Sequence, residues 1–374
     1  MKSAFILFVA GEDSGDILGE SAVRAALDAG LEARGIGGSR MERAGLCKIA
    51  GLEQCSYERF PVSGFLDVLP RALFFKRVQR LLLNEIEKQE CVALCAVDYP
   101  GLNMKLVQAA KALRKPVLYL EPPQIFAWKA KRAKLLQGCT LAVFFSFEQK
   151  AYAEHGVETA LVKHPFVETE PPYFARNKVE RRSNKILLLP GSRAGALKRN
   201  LPVYVAFAKK LLAQGYEPVF VAARESLKSI IENYAAGMRC ELAPKQAYAR
   251  AELFNSAKVL VAPPGTSLFE SVVSGTPVVA AIKPDLMTYI LGKKFLKVPH
   301  LALPNLLLNK RVFPEIVVTP FGGEDHAATQ IVDAVIHAEH TAVPQSLVTS
   351  NSKLVTIYSL SLEFFSKLRA GQTK

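Results

Sequence analysis

Four short segments of this 374-residue chain place glycine, hydroxyl, acidic or guanidinium groups directly after apolar runs of strand length. In open parallel sheets, ligands bind beyond the carboxyl ends of the strands, so these segments are where chemistry is expected. The first, Gly11-Glu12-Asp13-Ser14-Gly15-Asp16, follows Phe5–Val9 and precedes a helical run starting near Ile17. Its glycines allow a tight turn, and Ser14 or Asp16 can cap that helix. Three acids in one turn repel phosphate, and neither a dinucleotide fingerprint nor a P-loop is spelled out. Glu12 lies ahead of the helix and suits a hydrogen bond to a sugar hydroxyl. The second, Asp98-Tyr99-Pro100-Gly101-Leu102-Asn103, places a carboxylate at the end of the strand Cys91–Val97. It reads equally as a base or as a turn former.

The third segment, Pro190-Gly191-Ser192-Arg193, offers amides freed by glycine and a guanidinium, which suits a diphosphate or a plain strand-to-helix turn. The fourth, Pro263 to Glu270, contains Gly265-Thr266-Ser267 at an expected helix start, where unpaired amides and the dipole favour an anion. Glu270 sits more than a turn further on, where it can accept hydrogen bonds from ribose hydroxyls. A phosphate-friendly helix start and a ribose-friendly acid together point to a nucleotide.

Positioning such segments requires parallel βαβ units, and short apolar runs do alternate with helix-period stretches in both halves. Phe5–Val9, Val92–Val97, Val117–Leu120 and Leu141–Phe145 are expected strands of one half; Ile186–Leu189, Pro218–Ala222, Val259–Ala262 and Val278–Ala281 belong to the other. The expected class is α/β, with two Rossmann-like, doubly wound parallel-sheet domains at 1–168 and 169–352. The proline-, glutamate- and arginine-bearing stretch His164–Asn184 is read as the linker. A last segment, 353–374, has Leu354, Ile357, Tyr358, Leu362 and Phe365 at helical spacing, and its helix is expected either to cross back to the first domain or to pack on the second or on another subunit.

Half of the residues are apolar, which is ample for two cores. No apolar run approaches the ~20 residues that span a bilayer, and the acids at 12, 13 and 16 argue against a signal peptide. Six cysteines without a C-x-x-C or a nearby histidine pair suggest neither zinc nor a disulfide framework, and the pattern fits a reducing, cytoplasmic setting. The net charge of +14 calls for a negatively charged partner: nucleic acid, anionic membrane or phosphorylated substrate. Arg71–Arg80 mixes cations with Phe74 and Phe75 and reads as an interfacial helix; Lys129–Lys134 is a shorter basic run. No nucleic-acid motif is present, and nucleic acid is not expected as a partner.

Taken together, the segments resemble the lipid A disaccharide synthases, two-lobed glycosyltransferases of the GT-B type whose domains face each other across a cleft. The resemblance is carried by Ala10–Gly19, Ser63–Leu69, Asp98–Asn103, Pro123-Gln124-Ile125-Phe126-Ala127-Trp128, His164-Pro165, Pro190–Arg193, Gly265-Thr266 with Glu270, and Leu303–Leu307. It implies inverting transfer of 2,3-diacylglucosamine from its UDP derivative to the 6-hydroxyl of 2,3-diacylglucosamine 1-phosphate. It further implies peripheral attachment to the inner face of the bacterial inner membrane, with a homodimer among the expected assemblies. Asp98 and Arg193 match the family's essential acid and arginine, and Glu12 joins them as a catalytic candidate. Ser14, Asn103, Gln124, Gly191, Ser192, Gly265, Thr266, Ser267, Glu270 and Asn305 are the expected substrate contacts. The chain departs from the family pattern at Lys163, at Phe126, at Ala194–Leu197 and at Pro263-Pro264.

Inverting transfer needs a base for the acceptor proton, a role for Asp98, and positive groups for the departing diphosphate, a role for Arg193 and the Gly265 helix start. No D-x-D motif occurs, so neither a metal nor another cofactor is expected. The competing readings are another UDP-sugar transferase, a UDP-GlcNAc epimerase, or a membrane- or nucleic-acid-binding protein without activity.

Overall fold

The computed structural model describes residues 3–53, 55, 57–60, 71–126, 130–168, 184–295, 298–344, 347 and 354–372. Ser63–Leu69, Ala127, Trp128, Lys129 and most of the expected linker lie outside the described residues. The chain forms two compact units, the first holding described residues up to Pro165 and those from 354 onward, the second those from Phe166 to 347.

In the first unit seven strands make one sheet: β1 (Phe5–Ala10), β2 (Glu32–Ile36), β3 (Cys47–Lys48), β4 (Cys91–Val97), β5 (Val117–Leu120), β6 (Thr140–Val143) and β7 (Ala160–Leu161). Their order is β3-β2-β1-β4-β5-β6-β7, and every pairing is parallel. The second unit has six strands: β8 (Lys185–Leu188), β9 (Glu217–Ala222), β10 (Cys240–Leu242), β11 (Val259–Ala262), β12 (Val278–Ile282) and β13 (Glu315–Val317). They run β10-β9-β8-β11-β12-β13, again all parallel. Each sheet reverses its strand order once, between β1 and β4 in the first and between β8 and β11 in the second. These switch points are where the two-period alternation of a doubly wound sheet leaves a crevice.

Both faces of each sheet are covered, which is why the strands read as continuous apolar runs. Phe5, Leu7 and Val9 of β1 join one core with Leu94, Ala96 and Tyr119; Ile6, Phe8 and Ala10 join another with Ala93, Cys95 and Val97. The second unit divides likewise, Ile186 and Leu188 on one side of β8 and Leu187 on the other. β2, β3, β7, β10 and β13 were not expected from sequence. β2 reads Glu-Ala-Arg-Gly-Ile, and its polar residues hide the pattern; the other four are edge strands of two or three residues.

The helix Ile357–Gln372 packs on the first unit. Ile357 and Phe365 are fully buried, and Phe365 meets Phe8 edge to face at 6.0 Å. Tyr358 donates to Asp28 Oδ2 at 2.8 Å, and Arg369 donates to the Ala29 carbonyl at 2.7 Å, a cation at the C-terminus of the helix Asp13–Asp28. Just upstream, Lys163 N–H donates to the Val355 carbonyl at 3.0 Å.

Two sequence expectations are corrected here. The first helix starts at Asp13, four residues early, so Asp16 lies inside it and does not cap it; its buried carboxylate instead accepts the Arg40 and Met41 amides, each at 3.0 Å, at the start of the helix Ser39–Arg43. In the helix Ala72–Glu87, Phe74 and Phe75 do not stand out from the surface. Both rings are half-buried against the core, Phe74 5.4 Å from Phe60 and Phe75 6.4 Å from Tyr99. Leu73, 82% exposed, is the apolar side chain that projects.

The helix Ser146–Ala153 is capped from within: Glu148 accepts the Phe144 and Phe145 amides at 3.2 and 3.1 Å. Burial outweighs these two favourable contacts and pushes its carboxyl up to about 7. Because the folded value exceeds the unfolded one, the proton stabilises the fold fully below the unfolded value, and that stability is lost as pH rises through about 7. The amount is of order 3 kcal/mol. Glu148→Gln keeps an acceptor and cannot ionise, so denaturant unfolding should show the wild type losing stability relative to the variant between about pH 5 and 8; a constant difference refutes the assignment. Separately, Phe365→Ala should cost about 3–5 kcal/mol. An unchanged denaturation midpoint would mean that the last helix is not part of the first unit's core.

Candidate active site

Asp98 and Tyr99 are consecutive non-glycine residues in the left-handed region, with φ of 44° and 51°. Such backbone costs of order 1–3 kcal/mol per residue and persists only where its surroundings over-determine it. Here they do. Asp98 N–H donates to the Leu120 carbonyl at 2.9 Å, and its own carbonyl accepts from Asn103 Nδ2 at 2.7 Å and from the Tyr119 hydroxyl at 2.9 Å. The same Asn103 amide reaches the Val9 and Val97 carbonyls at 3.1 and 3.2 Å, tying together the ends of β1 and β4. Tyr99 donates to the Phe60 carbonyl at 2.8 Å. Gly11 is required beside it, because a Cβ there would sit 2.6 Å from the Tyr99 ring. The half-buried Asp98 carboxylate is thus held at the switch point of the first sheet.

Glu12, half-buried, precedes the helix across that switch point, its carbonyl accepting from the Tyr57 hydroxyl at 2.5 Å. Ser14 is also half-buried there, in the helix's first turn. Asn103, expected against substrate, is fully buried and spends its amide on backbone carbonyls. It positions Asp98.

Sequence reasoning missed Glu121. It is the first residue after β5, in register beside Asp98 after β4, and is likewise left-handed with φ of 53°. Burial, and then the nearby charges of Asp98, Glu148 and Glu12, hold its carboxyl well above the ordinary range. The strand-end rule points to Glu121 as it does to Asp98, but Pro122-Pro123 gives it the look of a turn. Gln124 is exposed in the following loop. Phe126 lies against Phe147 at 4.9 Å, and Phe147 stacks on Phe145 at 5.6 Å. The buried His164 packs on Phe144 at 4.8 Å; burial takes its imidazole down to about 3, so it is neutral.

In the second unit Pro190–Arg193 and Gly265–Glu270 flank the other switch point, after β8 and β11. Gly191 adopts φ of 139°, Ser192 is exposed, and Arg193 is the N-cap of the helix Ala194–Ala213. Asn200, buried in that helix, donates to the Pro190 carbonyl at 2.7 Å and accepts Lys283 N–H at 2.8 Å, bracing the loop against the end of β12. Gly265 is exposed and caps the helix Thr266–Val273; Thr266 and Ser267 are half-buried in its first turn. Its amides and dipole offer an anion site. The Glu270 carboxylate is buried, with one oxygen held by Arg250 Nε at 2.5 Å. Arg250, itself fixed to the Pro244 carbonyl at 3.0 Å, carried no local signal in the sequence.

Asn305, also expected against substrate, is fully buried. It donates to the Phe313 carbonyl and to Glu315 Oε1, both at 2.8 Å, and accepts the Val312 and Phe313 amides. Each of its donors and acceptors serves the loop ahead of β13, so it is a bracing residue.

Residues 6–342 match the family described as lipid-A-disaccharide synthetase. The chain is 31% identical over 325 residues to lipid-A-disaccharide synthase 1 of Legionella pneumophila (strain Lens), covering 83% of each chain. Among solved structures it resembles Arabidopsis thaliana UGT89C1, with a TM-score of 0.59 at 12% identity, over 98% of this chain and all of that one. A putative UDP-N-acetylglucosamine 2-epimerase from Listeria monocytogenes gives 0.54 at 9% identity, over 100% of this chain and 97% of that one. Likenesses at such identities establish the fold alone, two Rossmann-like units of the GT-B type, and cannot choose between transferase and epimerase. The family match does choose: this chain belongs to the lipid-A-disaccharide synthetase family and is a glycosyltransferase of lipid A synthesis.

Proposed function

We propose that the chain transfers 2,3-diacylglucosamine from its UDP derivative to the 6-hydroxyl of 2,3-diacylglucosamine 1-phosphate, with inversion. The observation that carries the chemistry is Asp98 in a left-handed conformation at the switch point, pinned by Asn103 and Tyr119. Asp98 takes the 6-hydroxyl proton as the oxygen bonds to the anomeric carbon, and the carbon–oxygen bond to the diphosphate breaks, its electron pair leaving with UDP. Arg193 and the amides at Gly265–Ser267 receive the diphosphate charge. Glu270, oriented by Arg250, accepts from the ribose hydroxyls. Glu12, Ser14 and Gln124 serve the sugar hydroxyls. Since both substrates are acylated, the reaction belongs at the cytoplasmic face of the inner membrane. Leu73, Lys76, Arg77 and Arg80, all exposed on one helix, support contact there, each cation contributing about 1 kcal/mol at an anionic surface.

The decisive assay incubates the protein with both acylated substrates and looks for disaccharide. Asp98→Asn should lose at least about 10²-fold in turnover while UDP affinity, by calorimetry, is kept. Near-wild-type turnover would remove Asp98 as base. Glu270→Ala should weaken UDP binding and leave acceptor affinity unchanged, with Arg250→Gln following in the same direction; equal loss for donor and acceptor would indicate a damaged second unit instead.

A further inference from the structure

Glu121 follows β5 directly, and the pairing of Val97 with Leu120 sets it beside Asp98 on strands that lie about 4.8 Å apart. Its amide donates to the Ala142 carbonyl of β6 at 3.0 Å, and just beyond it the Tyr152 hydroxyl donates to the Pro123 carbonyl at 2.8 Å. With Pro122 and Pro123 buried, the turn that carries Glu121 is fastened at its start and at its end. The carboxyl is another matter. Asp16 and Glu148 accept from backbone amides, and Glu270 accepts from a guanidinium. Among the described residues no hydrogen bond or ion pair holds the carboxyl of Glu121, although the residue is half-buried. The charges that act on it are acidic: Asp98 after β4, Glu148 on the helix Ser146–Ala153 and Glu12 after β1. Arg132 acts instead on Tyr119 and Tyr152 of the same wall. Burying a carboxyl without a partner is costly, and the cost shows here as a group held well above its ordinary range, first by burial and then by these neighbours. Such groups in a crevice are candidates for contact with a ligand.

We propose that Glu121 holds the 4-hydroxyl of the acceptor sugar while Asp98 takes the proton of the 6-hydroxyl. The inference rests on the reaction proposed above and extends it to the choice between hydroxyls. An acceptor phosphorylated at position 1 and acylated at positions 2 and 3 keeps free hydroxyls only at positions 4 and 6, on neighbouring arms of one ring. Glu121 and Asp98 stand on neighbouring strand ends at a matching spacing. Their chemistry divides in the same way. A base activates the hydroxyl it touches, whereas a carboxyl that keeps its proton donates one hydrogen bond, accepts another and leaves the hydroxyl intact. Glu121 thereby orients the acceptor and sets which linkage forms.

The test gives the full chain two acceptors, 2,3-diacylglucosamine 1-phosphate and its 4-deoxy analogue, and compares kcat/KM. UDP affinity by calorimetry and the melting temperature control for the fold. The wild type should prefer the 4-hydroxyl acceptor about three- to tenfold, the effect of one hydrogen bond between neutral groups. Glu121→Ala should lose about the same factor on the parent acceptor and show no preference between the two. Glu121→Gln, which can still donate and accept, should keep the preference. A preference that survives in Glu121→Ala, or a wild type that has none, overturns the inference. So does loss of the preference in Glu121→Gln with its melting temperature intact, a readout that stands even where the Ala variant does not fold. A wild type that forms no disaccharide would refute the proposed reaction, and acceptor affinity by calorimetry then judges the contact. A preference for the 4-hydroxyl acceptor lost in Glu121→Ala would uphold it, and equal affinities in the wild type would remove it.

Discussion

A buried asparagine amide cross-braces the strand ends in each unit, and the candidate chemistry depends on those two braces. In a parallel sheet the strands end without hairpin partners, and the residues just beyond them have no ladder to fix their direction. Asn103 gathers the carbonyls of Val9, Val97 and Asp98, while Asn200 joins Pro190 to Lys283. Both sit on the helix that follows a switch-point strand. Being inside, neither amide competes with water, so the hydrogen bonds keep their strength at the edge of a solvent-filled crevice.

The two switch points are built for opposite charge. After β1, β4 and β5 come Glu12, Asp98 and Glu121, with Glu148 close behind, and the charges of the other three make Glu121 harder to ionise. Burial is the larger cause: it holds the Glu121 carboxyl well above its ordinary range and pushes that of Glu148 up to about 7. The second unit offers Arg193, freed amides at Gly191 and a helix start at Gly265, a surrounding in which a diphosphate is welcome. In the proposed reaction, proton acceptance and charge acceptance therefore fall to separate sheets, each tuned by its own surroundings.

Much of this was legible before any coordinates. The strand-end rule singled out the segments of Glu12, Asp98, Arg193 and Glu270, and the structure sets them after β1, β4, β8 and β11, because a doubly wound sheet announces its central strands as apolar runs. Asn103 and Asn305 were misplaced. Their motif positions locate the backbone, whereas the direction of a short amide side chain is decided by which carbonyls its neighbours leave unpaired. Arg250 was beyond reach for another reason: it meets Glu270 from a different helix, twenty residues away, and nothing local distinguishes it from any other surface arginine. β2 went unseen because Glu32 and Arg34 interrupt its apolar character, and Phe74 and Phe75 were read outward because period alone does not say which face of a helix the core takes.

The return of the helix Ile357–Gln372 to the first unit has a bearing on how the chain is made. The cluster around Phe8, Ile357 and Phe365 joins β1 to a helix that follows the second unit in sequence, so this face of the first sheet stays uncovered until that helix has been synthesised. The second unit, drawn from Phe166 to 347, has its whole sequence in hand before then. The second unit can therefore complete its core before the first, whose Phe8 face waits for the helix Ile357–Gln372.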